Sequence, residues 1–133
     1  MSIPIESIGR SVLAPFFVVS AAMEIGAGLG LLAAPDLAIR LIFGSSGTEA
    51  GVALGRLAGG ALLSLGAACW LARYDGISAA SSALVSGMLT YNAAVIALVL
   101  TGRLGSLGPL LSGVAVLHGG MALWCLALLR GRR

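Results

Sequence analysis

The chain has 133 residues, 59% of them hydrophobic and only 10% charged, with a formal net charge of +3. A soluble domain carries nearer a quarter charged residues, so this composition excludes a water-soluble globule, a disordered tail and a nucleic-acid reader. A mean hydropathy of +1.05 points instead to a lipid bilayer. One helical span needs about 20 apolar residues, so the length admits four spans with short loops. The expected fold is all-α: a polytopic membrane protein whose residues 1–133 form a single four-helix transmembrane domain.

The first apolar run covers residues 11–34 and ends at Pro35. Arg10 ahead of it and Ser20-Ala21-Ala22 within it resemble a cleavable signal. At 24 residues the run exceeds a signal core, so a retained span is expected. Residues 35–43 (PDLAIRLIF) read as a short amphipathic helix lying at the interface. Pro35 suits its first turn, Asp36 complements its positive end, and Gly44 supplies its stop. Further spans are expected at about 52–71, with a start as early as Thr48, at 79–101 and at 107–129. Pro109 is expected in the first turn of the last span, where proline is tolerated. Short connections make neighbouring helices antiparallel.

Arginine placement gives an orientation. All eight basic residues are Arg, and Arg10, Arg73, Arg130, Arg132 and Arg133 fall on the side of both termini. Arg40 and Arg103, with Arg56 if it snorkels, fall on the other. The positive-inside rule then expects a cell inner (plasma) membrane protein with both termini cytoplasmic. Cys69-Trp70 before Arg73 and Trp124-Cys125 before Arg130 end the second and fourth spans alike. Two parallel helices reaching the same interface account for that likeness, and a tandem repeat of two hairpins would also produce it.

Small residues mark packing faces: Ala22, Gly26 and Gly30 in the first span, and Gly51, Gly55, Gly59 and Gly66 in the second. The third offers Ser82, Ser86 and Thr90, and the fourth Gly113, Gly119 and Gly120. Such rows let helix backbones approach closely, within the chain or against another subunit or copy of it.

Each span also carries one conspicuous polar residue: Glu24, Arg56, Asn92 beside Tyr91, and His118. Counting from the outer span ends, Glu24, Asn92 and His118 share one level, roughly 14–17 Å deep and near the midplane. A polar group there is costly and marks a candidate site. One expectation is a proton or ligand site in which Glu24 and His118 share a proton, with Asn92 or Tyr91 completing the hydrogen bonds. The other is a buried polar clasp that fixes helix register around a protonated Glu24. Side chains tilt toward their helix N-terminus, so Arg56 leans outward and Glu24 inward. Arg56 is therefore expected to snorkel to the outer interface, toward Asp36 or Glu49, or to bind an anion or lipid headgroup there.

Cys69 and Cys125 lie in the cytoplasmic leaflet on this topology, where thiols stay reduced. His118 stands about 10 Å above Cys125 along the helix, too far to share an ion, so no metal site is expected. No phosphate loop, nucleophile motif or carboxylate pair is present, so the chain reads as more an accessory protein than an enzyme.

Met23-Glu24-Ile25-Gly26 through Leu31-Leu32-Ala33-Ala34-Pro35, and the segment from Gly55-Arg56 to Gly66, resemble the DoxX-like small membrane proteins. That resemblance implies a four-helix bundle and an accessory or scaffold role beside quinone-linked or thiol-redox enzymes. It carries no catalytic residue over. Ala22-Met23-Glu24-Ile25-Gly26 also resembles the first span of the small multidrug transporters, which implies a proton-coupled small-molecule transporter. The scarcity of aromatic residues and the uneven loop charges depart from that pattern. Expected partners are the bilayer and protein subunits, with no nucleic acid; no cofactor is expected beyond a bound quinone or lipid.

Overall fold

A computed structural model describes the backbone of residues 5–102 and 108–131, and the side chains of 12–102 and 108–131. The described residues form five α-helices: α1 (Ile5–Ala33), α2 (Pro35–Phe43), α3 (Glu49–Ala72), α4 (Ala79–Leu100) and α5 (Leu111–Arg130). Four stretches are long and apolar enough to cross a membrane, namely Val12–Ala33 within α1 and the whole of α3, α4 and α5. The chain is thus an all-helical polytopic membrane protein, with the short helix α2 directly after the first span.

Local chemistry sets the helix ends. Pro35 opens α2, and Gly44 closes it at φ 75°, a left-handed conformation that glycine adopts without strain. Asp36 does two jobs: it pairs with Arg40 at 2.9 Å and accepts the Gly47 N–H at 2.9 Å. The loop after α2 is thereby folded back onto the helix start. Thr48 caps α3 by accepting the Gly51 N–H at 3.1 Å, which lets the span begin at Glu49, three residues ahead of position 52. Ser78 and Ser81 form a reciprocal capping box at the start of α4.

Helix α5 departs from expectation. It begins at Leu111, so Pro109 lies ahead of the helix instead of in its first turn; Leu107 falls outside the described residues. Residues 108–110 form a turn bonded to α2: Gly108 N–H donates to the Ile42 carbonyl at 2.9 Å and Leu110 N–H to Leu41 at 3.0 Å. Those carbonyls belong to the last turn of α2, which has no helical donors left for them. The interfacial helix is therefore a clamp that ties the first half of the chain to the start of α5. Its glycine is obligatory: a Cβ on Gly108 would stand 2.5 Å from the Leu41 oxygen and 2.6 Å from the Ile42 oxygen. Gly108→Ala should destabilise the protein by about 1–3 kcal/mol, read as a lowered midpoint in detergent thermal unfolding; an unchanged midpoint would refute the clamp.

The bundle is two tight hairpins, α1 with α3 and α4 with α5. Within the first, Gly28 and Gly59 meet backbone to backbone, each one's absent Cβ falling 2.8 Å from the other's carbonyl oxygen. Gly66 fits against Ile25 in the same way, at 2.7 Å from its Cγ1. The expected row Ala22–Gly26–Gly30 is not the contact face: nothing lies within 4 Å of a Cβ built at Gly26 or Gly30. Residues two apart on a helix differ by about 200° in direction, so Gly28 faces α3 while its neighbours in that row face away. Gly113 and Gly120 are likewise open. Ser86 and Thr90 spend their hydroxyls on carbonyls one turn back in α4, at 2.8 and 3.0 Å, and not on a neighbouring helix.

Between the hairpins lie the bulky residues. Phe16 and Phe17 of α1, Met88 of α4 and Met121 of α5 are buried together with Cys69 and Cys125. Trp124 packs edge-on against Phe16, ring centroids 5.5 Å apart, whereas Trp70 is exposed. The two tryptophans that end spans alike in sequence thus have different surroundings.

Candidate functional site

The polar layer sits where the two hairpins face each other. Four of the residues singled out there converge: Glu24 of α1, Tyr91 and Asn92 of α4, and His118 of α5. Glu24 is 5% exposed and Asn92 only 1%. In α4, positions 81, 85, 88 and 92 are buried, a spacing that forms one helical stripe and brings Asn92 inward.

The hydrogen bonding around Asn92 has one consistent assignment. Its Nδ2 donates to the Met88 carbonyl at 2.7 Å, an oxygen that can only accept. The amide orientation is thereby fixed, and Oδ1 faces His118 Nδ1 at 2.7 Å. Because Oδ1 can only accept, Nδ1 carries the proton and donates. In the neutral imidazole Nε2 is then the unprotonated nitrogen, a hydrogen-bond acceptor and a base. The ring is held from a second side by Tyr91, edge-on with centroids 5.4 Å apart. His118 is thus fixed in tautomer and in orientation.

Glu24 does not bond to this pair. A cavity of about 200 Å³ lies beside them, lined by Met23, Glu24, Ala27, Tyr91, Leu117 and His118. The expected direct sharing of a proton between Glu24 and His118 is therefore not made; the two groups face a common space. Asn92 engages Nδ1 of the imidazole, and Glu24 and the ring line the cavity from different helices. One turn along α1 from Glu24, the Ser20 hydroxyl is buried without a hydrogen-bond partner among the described residues.

The cavity opens sideways. Leu117 is 45% exposed and Ala27 is exposed too, so the cavity reaches the outer surface of the bundle at the level of Glu24 and His118. Its size suits one ring-sized head in place of a whole drug-sized molecule, which needs at least about 300 Å³. Chemically it offers a carboxyl on one wall and an imidazole nitrogen on another, with apolar surface between. Ala27 and Leu117 were not legible as site residues: one is a small residue a turn from Glu24, the other an ordinary leucine beside His118. Met88 contributes only a main-chain oxygen, which no residue pattern announces.

The remaining candidates lie elsewhere. Arg56 is exposed on α3 and pairs with neither Asp36 nor Glu49. Asp36 is instead engaged by Arg40 and the Gly47 N–H, which corrects the expectation that it would receive Arg56. Cys69 and Cys125 are fully buried in the apolar core and are not among the residues that line the cavity. Compared with protein-family models, with curated proteins and with solved structures, the chain finds no match.

Proposed function

We propose that this small integral membrane protein binds the polar head of a lipophilic molecule that enters from the bilayer, between Glu24 and His118. The carrying observation is that carboxyl and imidazole line one cavity whose lining residues Ala27 and Leu117 are exposed; residue counting along the spans sets that level near the midplane. A quinone or quinol is the ligand class that fits best. Its ring is of the right size, its oxygens bond at opposite edges, and its tail prefers lipid. A hydroxyl of the quinol would donate to His118 Nε2, and a protonated Glu24 would donate to an oxygen at the other edge. Such binding agrees with an accessory role in a redox-linked membrane complex, the role that resemblance to the DoxX-like proteins implies. The arginine distribution supports a plasma-membrane location with both termini cytoplasmic.

Decylubiquinol and decylubiquinone serve as probes for the detergent-solubilised protein under anaerobic conditions. Decylubiquinol should raise the unfolding temperature more than decylubiquinone, since Nε2 requires a donor. Stabilisation of about 2.7 kcal/mol is expected at a hundredfold excess over Kd. Glu24→Gln should keep the fold and most of the binding, because an amide of similar volume still donates where the protonated carboxyl did, whereas Glu24→Leu should weaken binding by removing the donor. Ala27→Leu should close the mouth and abolish the shift. An absent shift with the unaltered protein, or a shift that survives Ala27→Leu, would refute the reading.

A scaffold role for the same chain has one supporting observation: the open glycines Gly30, Gly113 and Gly120 leave helix backbone bare toward lipid, as close-packing subunits need. Mild-detergent purification followed by identification of co-eluting proteins tests it directly.

A further inference from the structure

A second concavity lies on the α1/α3 hairpin, independent of the polar layer. Val18, Ala22, Ile25 and Gly26 of α1 and Trp70 of α3 line a groove of about 390 Å³. Its floor is low because position 26 lacks a side chain, and a Cβ there would meet nothing within 4 Å. The half-exposed indole of Trp70 forms its wall. From residue 18 to residue 26 the groove follows α1 for about 12 Å, along a lining that is almost wholly apolar.

A fixed cation stands at the Trp70 end. The Arg73 guanidinium lies over the Trp70 ring at 3.7 Å from its centroid and over Tyr74 at 4.0 Å. It donates to the Trp70 carbonyl and to the Tyr74 hydroxyl at 2.8 Å. No carboxylate among the described residues pairs with it; the ion pair they contain joins Arg40 to Asp36. A guanidinium has five N–H donors, so N–H groups remain for an anion. The aromatic residues that hold it are the types that settle at membrane–water interfaces.

We propose that this groove binds an anionic phospholipid, one acyl chain lying along Val18–Gly26 and the phosphate on Arg73. Charge complementarity selects the occupant: the shape is that of a hydrocarbon chain, and at its end stands an arginine that no carboxylate among the described residues pairs. A basic side chain so placed favours an anionic lipid by about fivefold.

Native mass spectrometry of the full chain in detergent, titrated with phosphatidylglycerol or with phosphatidylcholine of identical acyl chains, tests this. The unaltered protein should retain phosphatidylglycerol about fivefold more strongly. Arg73→Gln should bring the two lipids level. Gly26→Leu, with Ala22→Leu as a second filler should the first not fold, should lower phosphatidylglycerol retention to the Arg73→Gln level while leaving Arg73 in place. Equal retention by the unaltered protein would overturn the proposal. So would a preference that survives groove filling, which marks surface charge alone. A lipid-independent dimer broken by Gly26→Leu would also overturn it, since a second copy would then fill the groove.

Discussion

Gly59→Leu is expected to abolish the folded bundle, and Gly26→Leu is expected to leave it intact. Both replace a glycine inside a span, yet their surroundings are opposite. A Cβ at Gly59 falls 2.8 Å from the Gly28 carbonyl oxygen, 3.0 Å from Leu31 Cβ and 3.1 Å from Leu32 Cγ. The first of these is main chain and cannot rotate aside. Gly28 is closed from its own side, with the Leu63 main-chain nitrogen 3.0 Å from its absent Cβ, so α1 and α3 can relieve the clash only by separating. Alanine alone at Gly59 should cost about 1–3 kcal/mol. Three further carbons push the hairpin apart and approach a total stability on the order of 5–15 kcal/mol.

At Gly26 the methyl meets nothing, and replacing a helical glycine by alanine should be neutral or stabilising by up to about 1 kcal/mol. Monodispersity on size exclusion, followed by thermal unfolding, separates the two outcomes. A folded Gly59→Leu protein would mean that the hairpin is not held by this contact.

The same glycines mark the limit of what is legible in the chain. The spans and the interfacial helix can be read because they depend on run length and on end signals, Pro35, Gly44 and Ser78, which act locally. The packing phase cannot. A row at i, i+4, i+8 fixes a stripe along a helix, but which stripe meets a neighbour depends on side chains in another helix. Ala22–Gly26–Gly30 forms such a row and faces outward, while Gly28 belongs to no row and makes the contact. The start of α5 was hidden for a related reason, since Gly108 and Leu110 bond to carbonyls of α2 more than sixty residues earlier.

The candidate site divides along the same line. Depth follows from counting residues, so Glu24, Asn92 and His118 could be set at one level from the sequence. Pairing requires direction. Tyr91 and Asn92 are adjacent and point about 100° apart, yet both reach His118, one with its ring and one with its amide. That double grip fixes the imidazole while Glu24 faces it across the cavity. The main-chain oxygen of Met88 orients Asn92, and Asn92 takes Nδ1, so His118 is left with Nε2 toward the space it shares with Glu24.

Asn92→Leu should convert this fixed imidazole into a free one. The substitution is close to volume-conserving but removes Oδ1, leaving the Nδ1–H of a half-buried ring unpaired. An orphaned buried donor costs about 1–3 kcal/mol, and polar pairs between membrane helices average about 0.6 kcal/mol, so a loss of about 1 kcal/mol is expected. A double-mutant cycle with His118→Phe should recover most of that loss as coupling energy, because no donor is then left to orphan. Stability alone does not distinguish a clasp from a binding site, so the tautomer is the sharper readout. Nitrogen-15 chemical shifts should place the proton of His118 on Nδ1 in the unaltered protein, and on Nε2 in a substantial fraction of Asn92→Leu. Protonation of Nε2 removes the acceptor that a quinol hydroxyl needs, so preference for decylubiquinol over decylubiquinone should disappear in the same variant. If the tautomer changes and ligand preference does not, His118 holds helices together without holding a ligand.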